Sequence, residues 1–339
     1  MWTPNHKERA TFKNIWVIGE FRQKKVQNVT FELLGAARQL AEERQGQVWC
    51  ILIGHEINGE SQRCIEKQAD TVLILDHPEL ALFRDELYSD VLGQMVKKYK
   101  PEIVLFGATA IGRSLAPRTA VELNCGLTAD CTGLTIAEEN GDLLQTRPAF
   151  GGNIMATIKS SQHRPQMATV RPRVMSEAEP DSERRGRCIR EEVTFSDKLI
   201  APQKILQSVE WSDQTASLGD SQIIIAGGRG VQGPEGFQLL KELAKLVGGA
   251  VGASRAAVDA GWIDYAYQIG QTGQTVQPSV YMACGVSGQI QHLVGMQSAS
   301  TIIAINKDPD APIMQLADYA VIGDLFDIIP VLMKKIQEV

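Results

Sequence analysis

Between Gly227 and Asn306 the chain repeatedly sets a polar side chain beside a glycine: GGRG, VGASRAAVDAGW, QIGQTGQT, GVSGQIQH and AINKD. A packed core has no need of this pattern. Glycine permits close backbone approach and positive φ, while Ser, Thr, Arg and Asn supply donors, so the pattern suits a long polyanionic ligand lying along backbone. Gln222–Ala226 is a short β-branched run, and GGRG follows at once. From Pro234 to Val247, Phe237, Leu239, Leu240, Leu243 and Leu246 then recur at helical spacing, with Pro234 suited to a first turn. The unit reads as strand, glycine turn, helix. It contains Gly228-x-Gly230-x-x-Gly233, the spacing of the dinucleotide fingerprint, which also requires an acid at the end of the next strand to take the ribose. Here the next strand, near Ala250–Val251, runs into Gly252-Ala253-Ser254-Arg255, a base in place of the acid. NAD binding in the usual manner is therefore not expected. The further turns at Ser254, Gln271, Ser287 and Asn306 argue for a ligand site over a lone tight turn.

The first half alternates strand and helix. Asn14–Gly19, Val48–Ile53, Thr71–Leu75 and Ile103–Phe106 read as strands. Asn28 is expected to cap a helix running to about Arg44, with Phe31, Leu34, Ala37 and Leu40 on one face. Leu82–Tyr99 is amphipathic and ends at Lys100-Pro101. A turn over Gly107–Arg113 leads into a helix carrying Arg113 and Arg118. This alternation predicts a parallel sheet covered on both faces. After Gly126 the pattern changes: Leu127–Ile136, Leu143–Thr146, Asn153–Ile158 and Gln166–Arg171 read as strands joined by turns, expected as antiparallel additions to that sheet. Met175 to about Glu192 reads as an exposed charged connection, and Thr194–Trp211 as a last strand-bearing segment. The expected fold is α/β with two domains, 1–212 and 213–339, each a largely parallel sheet flanked by helices, the second Rossmann-like.

A length of 339 residues agrees with two domains, and a net charge of −6 argues against nucleic-acid binding. No apolar run reaches transmembrane length and the N-terminus lacks a signal-peptide core, so a soluble, cytoplasmic protein without membrane insertion is expected. The six cysteines form no CxxC pair, which argues against an iron–sulfur cluster, and the five histidines show no metal-ligand spacing.

The run GGRG … VGASRAAVDAGW … QIGQTG … SGQIQH … AINKDPDAP … ADYAVIGDLF resembles the C-terminal half of electron-transfer flavoprotein α subunits, nearly continuously from Ile223 to Pro330. FELLGAARQLA, LFGATAIGRSLAPRTA and GLTADCTGL are looser anchors in the first half. The resemblance implies one FAD on the second domain, with Arg229 and Ser254 on its adenosine and pyrophosphate side. Gln268, Gly270, Gln271, Thr272 and Gly273 would line the flavin ring and ribityl chain, Thr272 near N5. Ser287, Gly288, Gln291 and His292 would hold the pyrophosphate, ribityl or pyrimidine edge. Asn306 and Asp324, with Lys307 and Asp308 beside them, would fix the adenosine. Arg255 would stand against the isoalloxazine, where a permanent cation favours added negative charge, and His292 would donate near O2. Asp259 and Asp264 read as cap or turn residues, Trp262 as packing, and Arg113 and Arg118 as surface or subunit-interface residues.

TRPAFGGNIMATI and HRPQMATVRP resemble the α subunits that use NADH and bifurcate electrons; Arg147, Asn153, Arg164 and Arg171 lie in them. The partners then implied are a β subunit carrying a second FAD or AMP, an acyl-CoA dehydrogenase-type flavoenzyme, and, in the bifurcating mode, NADH with ferredoxin or flavodoxin. Three alternatives stand beside this reading. One is a simple carrier to a quinone reductase. Another is an NAD-dependent dehydrogenase, opposed by the missing ribose acid. The last is a non-redox assembly subunit, opposed by the presence of Arg255, Thr272 and His292.

Overall fold

The computed structural model describes residues 11–57, 59–149, 154–195, 205 and 218–338. The chain divides into two compact units, Met1–Ser208 and Val209–Val339. The expected boundary at 212/213 falls outside the described residues.

The described strands of the first unit are β1 (Ile15–Gly19), β2 (Phe21–Arg22), β3 (Lys25–Val26), β4 (Val48–Gly54), β5 (Thr71–Asp76), β6 (Ile103–Gly107), β7 (Leu127–Cys131), β8 (Gly133–Ile136), β9 (Leu143–Ala149), β10 (Ile154–Lys159), β11 (Gln166–Val170) and β12 (Arg187–Arg190). Seven of them form one sheet in the order β12-β5-β4-β1-β6-β11-β7, every pair parallel. The central strands are buried along their whole length because both faces are covered. Ile15 and Val17 join the core on one face, with Phe31, Leu34, Ala37 and Leu40 of the helix Asn28–Arg44. Trp16 and Ile18 point the other way, toward Leu87, Val91, Leu115 and Ala116 of the helices Asp85–Tyr99 and Ala110–Leu123.

Several expectations are corrected here. Asn28 is the first helical residue; the cap is Gln27, whose side chain makes no capping bond and instead reaches the Arg22 and Lys25 carbonyls. The helix expected from Leu82 starts at Asp85, after a separate 3-10 turn at Pro78–Leu80 capped by His77. The segment 127–136 breaks at Thr132 into β7 and β8. β7 and β11 extend the main sheet in parallel rather than antiparallel, while β8, β9 and β10 form their own antiparallel sheet. The charged segment 175–192 carries β12, an edge strand against β5 whose side chains are mostly exposed, which is why it lacks a strand's apolar signature. Most of 194–211 lies outside the described residues.

The second unit holds β13 (Ile223–Gly227), β14 (Ala250–Ala253), β15 (Val280–Cys284), β16 (Thr301–Asn306) and β17 (Tyr319–Ile322). They form a parallel sheet in the order β14-β13-β15-β16-β17. The helix Pro234–Leu246 packs Phe237, Leu240 and Leu243 on one face together with Leu325 and Ile329 of the helix Leu325–Gln337. The other face is covered by Met296, Ile313 and Met314. The chain winds outward in both directions from the gap between β13 and β15. In open α/β sheets this reversal opens a crevice at the carboxyl ends of the strands, where ligands bind.

Candidate functional site

At that reversal the two glycine turns interlock. The Gly228 N–H donates to the Cys284 carbonyl at 3.0 Å and the Gly230 N–H to the Gly285 carbonyl at 3.0 Å. A Cβ on Gly228 would lie 2.2 Å from the Gly285 oxygen, and one on Gly230 would lie 2.7 Å from the Gly285 Cα. Two of the three fingerprint glycines therefore serve contact between turns, in keeping with the missing ribose acid. The neighbouring loops are tied in as well. Ser254 N–H donates to Gly227 at 2.9 Å. The Asn306 amide donates to the Val286 carbonyl at 2.9 Å and accepts from Asp308 N–H at 3.0 Å. Ile313 N–H donates to Ser287 at 3.2 Å, and Gly288, at φ +82°, leaves no room for a Cβ, which would lie 2.5 Å from the Ile313 nitrogen.

The QIGQTG loop seats on this frame. Ile269 N–H donates to Ala253 at 2.9 Å and Gln271 N–H to Gln291 at 2.7 Å. Gln268 is buried and its amide donates to the Thr272 hydroxyl at 3.0 Å. Gly273 N–H closes a turn on Gly270 at 3.1 Å, and a Cβ on Gly270 would lie 2.7 Å from the Gln291 oxygen. The Tyr265 hydroxyl donates to the Thr272 carbonyl. Asp264 accepts from Ala266 N–H at 2.9 Å, the turn-capping role expected of it.

His292 is 7 % exposed and sits behind that loop in the short helix Ile290–Leu293. Its Nε2 lies 2.9 Å from the hydroxyl of Tyr281, a fully buried residue of β15. Its Nδ1 is buried and makes no hydrogen bond among the described residues. Burial pushes the imidazole pKa down to about 4; the Ile269 backbone opposes that shift without meeting hydrogen-bond geometry. His292 is thus a neutral ring holding one unpartnered nitrogen.

Arg255 pairs with Asp259 one helical turn on, at 3.2 Å, both side chains largely exposed. Arg229 is exposed on its turn. Asp324 caps the helix Leu325–Gln337 through Phe326 N–H at 3.0 Å and pairs with Lys307 at 2.7 Å. Lys307, and after it that capping bond, hold the Asp324 carboxyl below its usual range.

Each expected residue thus lies on a segment that leaves, or is tied to, the carboxyl end of a strand. Gln268, Gly270, Gln271, Thr272, Gly273, Gln291 and His292 form one connected group. Arg229, Ser254, Arg255, Ser287, Gly288, Asn306 and Asp324 stand on the flanking turns. The sequence reading missed Asp259 as the partner of Arg255, although the i, i+4 spacing signals it. Tyr281 carries no functional signal in the sequence: the continuous apolar run of β15 says only that it is buried.

In the first unit, Arg171 forms a paired contact with Asp130 at 3.1 and 2.6 Å, and buried Arg164 pairs with Asp142 at 2.8 Å. The Arg147 Nε is buried without a partner among the described residues, and Asn153 lies outside them. Arg113 approaches Asp130 at 3.8 Å, and Arg118 pairs with Asp85 at 3.1 Å.

Residues 15–196 match the family model described as electron transfer flavoprotein domain, and residues 217–297 match the electron transfer flavoprotein FAD-binding domain. The chain is 51 % identical over 327 residues to the electron transfer flavoprotein subunit alpha of Thermoanaerobacterium thermosaccharolyticum, covering 96 % of this chain and 98 % of that one. It is 46 % identical over 332 residues to the protein FixB of Clostridium saccharobutylicum, covering 97 % and 98 %. It is 42 % identical over 363 residues to the acryloyl-CoA reductase electron transfer subunit beta of Anaerotignum propionicum, covering 98 % of each.

Proposed function

The chain belongs to the electron transfer flavoprotein α-subunit family, with the family's FAD-binding domain in its second half, and from that premise we propose that the carboxyl edge of β13 to β17 holds the FAD through the residues named above. The residues present fit that group. Glycine turns and the donor-bearing Arg229, Ser254, Thr272, Ser287 and Asn306 gather at the carboxyl ends of the strands about the sheet reversal. The bound flavin would supply one- and two-electron chemistry. Gln268 and Thr272 hold the loop that faces the ring, Ser287 and Gly288 shape the turn for the pyrophosphate, and Asn306 and Asp324 stand on the adenosine side. Exposed ion pairs like that of Arg255 with Asp259 contribute about 0–1 kcal/mol, so Arg255 is free to exchange that carboxylate for a flavin carrying negative charge.

The chain works, in this reading, as an electron carrier beside a β subunit that holds a second FAD or AMP, the first domain ending near residue 212 and supplying the subunit interface. Its electron partner is an acyl-CoA dehydrogenase-type flavoenzyme; the printed name of the Anaerotignum relative, an electron transfer subunit of acryloyl-CoA reductase, supports that chemistry. The stretches TRPAFGGNIMATI and HRPQMATVRP support bifurcation, with NADH as donor and ferredoxin or flavodoxin as one acceptor. The ion pairs that occupy Arg164 and Arg171 favour a second reading, a simple carrier. None of the described helices is long and apolar enough to cross a membrane, and we place the protein in the cytoplasm.

The observation that carries the flavin reading is the gathering of the glycine turns and the QIGQTG loop at the carboxyl end of the sheet reversal. The test is the flavin count of the chain purified with its β subunit. Two per heterodimer support bifurcation, one supports the simple carrier, and none overturns both.

A further inference from the structure

We propose that Tyr265 is a positioning residue of the flavin site: its hydroxyl holds the Thr272 carbonyl, so that the acceptors of Thr272 are engaged within the loop while its donors stay open to the bound ring. The inference deepens the flavin reading and rests on it for the identity of the ligand.

Thr272 carries two donors, its backbone N–H and its hydroxyl proton, and two acceptors, its carbonyl and its hydroxyl oxygen. A carbonyl can only accept, so the contact with the Tyr265 hydroxyl has one sense: the phenol donates. The hydroxyl oxygen accepts from the Gln268 amide at 3.0 Å. Both acceptors are thus engaged by residues of the same loop. The donors are not. From Ile269 to Gln274, every backbone N–H except that of Thr272 donates within the described residues: Ile269 to Ala253, Gly270 to Gln274, Gln271 to Gln291, Gly273 to Gly270 and Gln274 to Gln268. Thr272 itself lies exposed. A residue left with only donors suits an electron-rich group, and donors fixed in advance are worth most where negative charge develops, as it does on a flavin during reduction.

The phenol comes from a fixed turn. Asp264 caps the 3-10 turn Tyr265–Tyr267 through Ala266 N–H at 2.9 Å. The Tyr265 carbonyl accepts from Gln268 N–H at 2.9 Å, and the Ala266 carbonyl from the Gln274 amide at 2.6 Å. Ile269 N–H then ties the loop to Ala253 at the end of β14 at 2.9 Å. The Thr272 carbonyl and the Gly273 N–H belong to one planar peptide. Tyr265 holds that plane by its oxygen, and the Gly270 carbonyl holds it by its N–H at 3.1 Å. Without the phenol bond the plane is held at one end only, and Thr272 can tilt its donors away from the ligand.

The test uses the full chain purified with its β subunit. Tyr265→Phe removes one oxygen from a side chain that is 62 % exposed, so the core is untouched. The variant should bind FAD about two- to tenfold more weakly, the range for one neutral hydrogen bond. Its bound flavin should shift to a lower first reduction potential in a spectroelectrochemical titration. In the flavin-stripped complex, peptides spanning 269–274 should exchange amide hydrogen faster than in wild type. Gln274→Met removes the bond to Ala266 and leaves the Thr272 carbonyl held, so its flavin potential should match wild type. An unchanged potential or unaltered exchange in Tyr265→Phe, or an equal fall in potential in both variants, would overturn the proposal. A wild-type complex that never takes up FAD would overturn the flavin reading, and the exchange difference would still show whether Tyr265 holds the loop.

Discussion

Arg255 and Asp259 face each other across one helical turn, Nε to Oδ2 at 3.2 Å, both about two-thirds exposed. A pair so exposed is weak, so the guanidinium has little to lose by turning to a stronger anion. Asp259→Asn should change stability by less than about 0.5 kcal/mol, measured by chemical unfolding.

Arg255→Ala should lower the potential of the bound flavin. Removing an interaction of about 1–2 kcal/mol with added negative charge corresponds to roughly 40–90 mV for one electron. A spectroelectrochemical titration measures it, and an unchanged potential would remove Arg255 from the ring.

Gly228→Ala should disrupt the interlocked turns, because the added Cβ would meet the Gly285 oxygen at 2.2 Å and both are backbone. Overpacking of this kind costs about 1–3 kcal/mol. Thermal unfolding and FAD retention should both fall. Gly46→Ala is the control: the nearest atom to its Cβ is 4.0 Å away, so little should change.

His292 predicts an acid-side loss of stability. Its folded pKa of about 4 lies below the ordinary value of 6.5 that it has in the unfolded chain, so the folded state binds fewer protons between these values. The stability it contributes is present above pH 6.5 and is lost as pH falls toward 4. The linkage bounds that loss at about 3 kcal/mol. His292→Asn should flatten the dependence of unfolding on pH between 4 and 6.5; an unaltered slope would contradict the assignment.

Glu32 predicts the opposite slope. Burial raises its pKa from 4.5 to about 7, the bond from Arg173 N–H opposing. The folded state then binds more protons than the unfolded chain in this interval, so stability present at low pH is lost as pH rises through 7. Glu32→Gln keeps an acceptor for Arg173 and should remove that loss, of about 1–3 kcal/mol, in unfolding curves taken at pH 5 and pH 8.

What the sequence made legible follows from what local pattern carries. The helix Asn28–Arg44 and the strand Val48–Gly54 were readable because the former shows its buried face at helical period and the latter is a continuous apolar run. The direction of β7 and β11 was not, because alternation marks a strand without naming its neighbour. β12 was invisible because an exposed edge strand needs no apolar side chains. At the candidate site, the glycine turns were readable because glycine and donors leave a local signature, while the roles given to the residues on them rest on the family resemblance. The contact of Tyr281 with His292 was not readable, because it depends on where β15 and the following loop bring the two together.

If the second unit holds FAD at the carboxyl edge of its sheet, flavin returned to the stripped protein must bind and stabilise it. The most direct measurement is titration of FAD into the flavin-stripped complex of the chain with its β subunit, followed by flavin fluorescence and thermal unfolding, in wild type and in the His292→Asn/Arg255→Ala variant. A ligand that binds the folded state raises the unfolding temperature in step with its saturation. Wild type should rebind FAD stoichiometrically with a rise in unfolding temperature, and the variant should bind it at least about tenfold more weakly, equivalent to about 1.4 kcal/mol. Rebinding of equal strength in the two proteins, or no rebinding in either, would contradict that placement of the flavin.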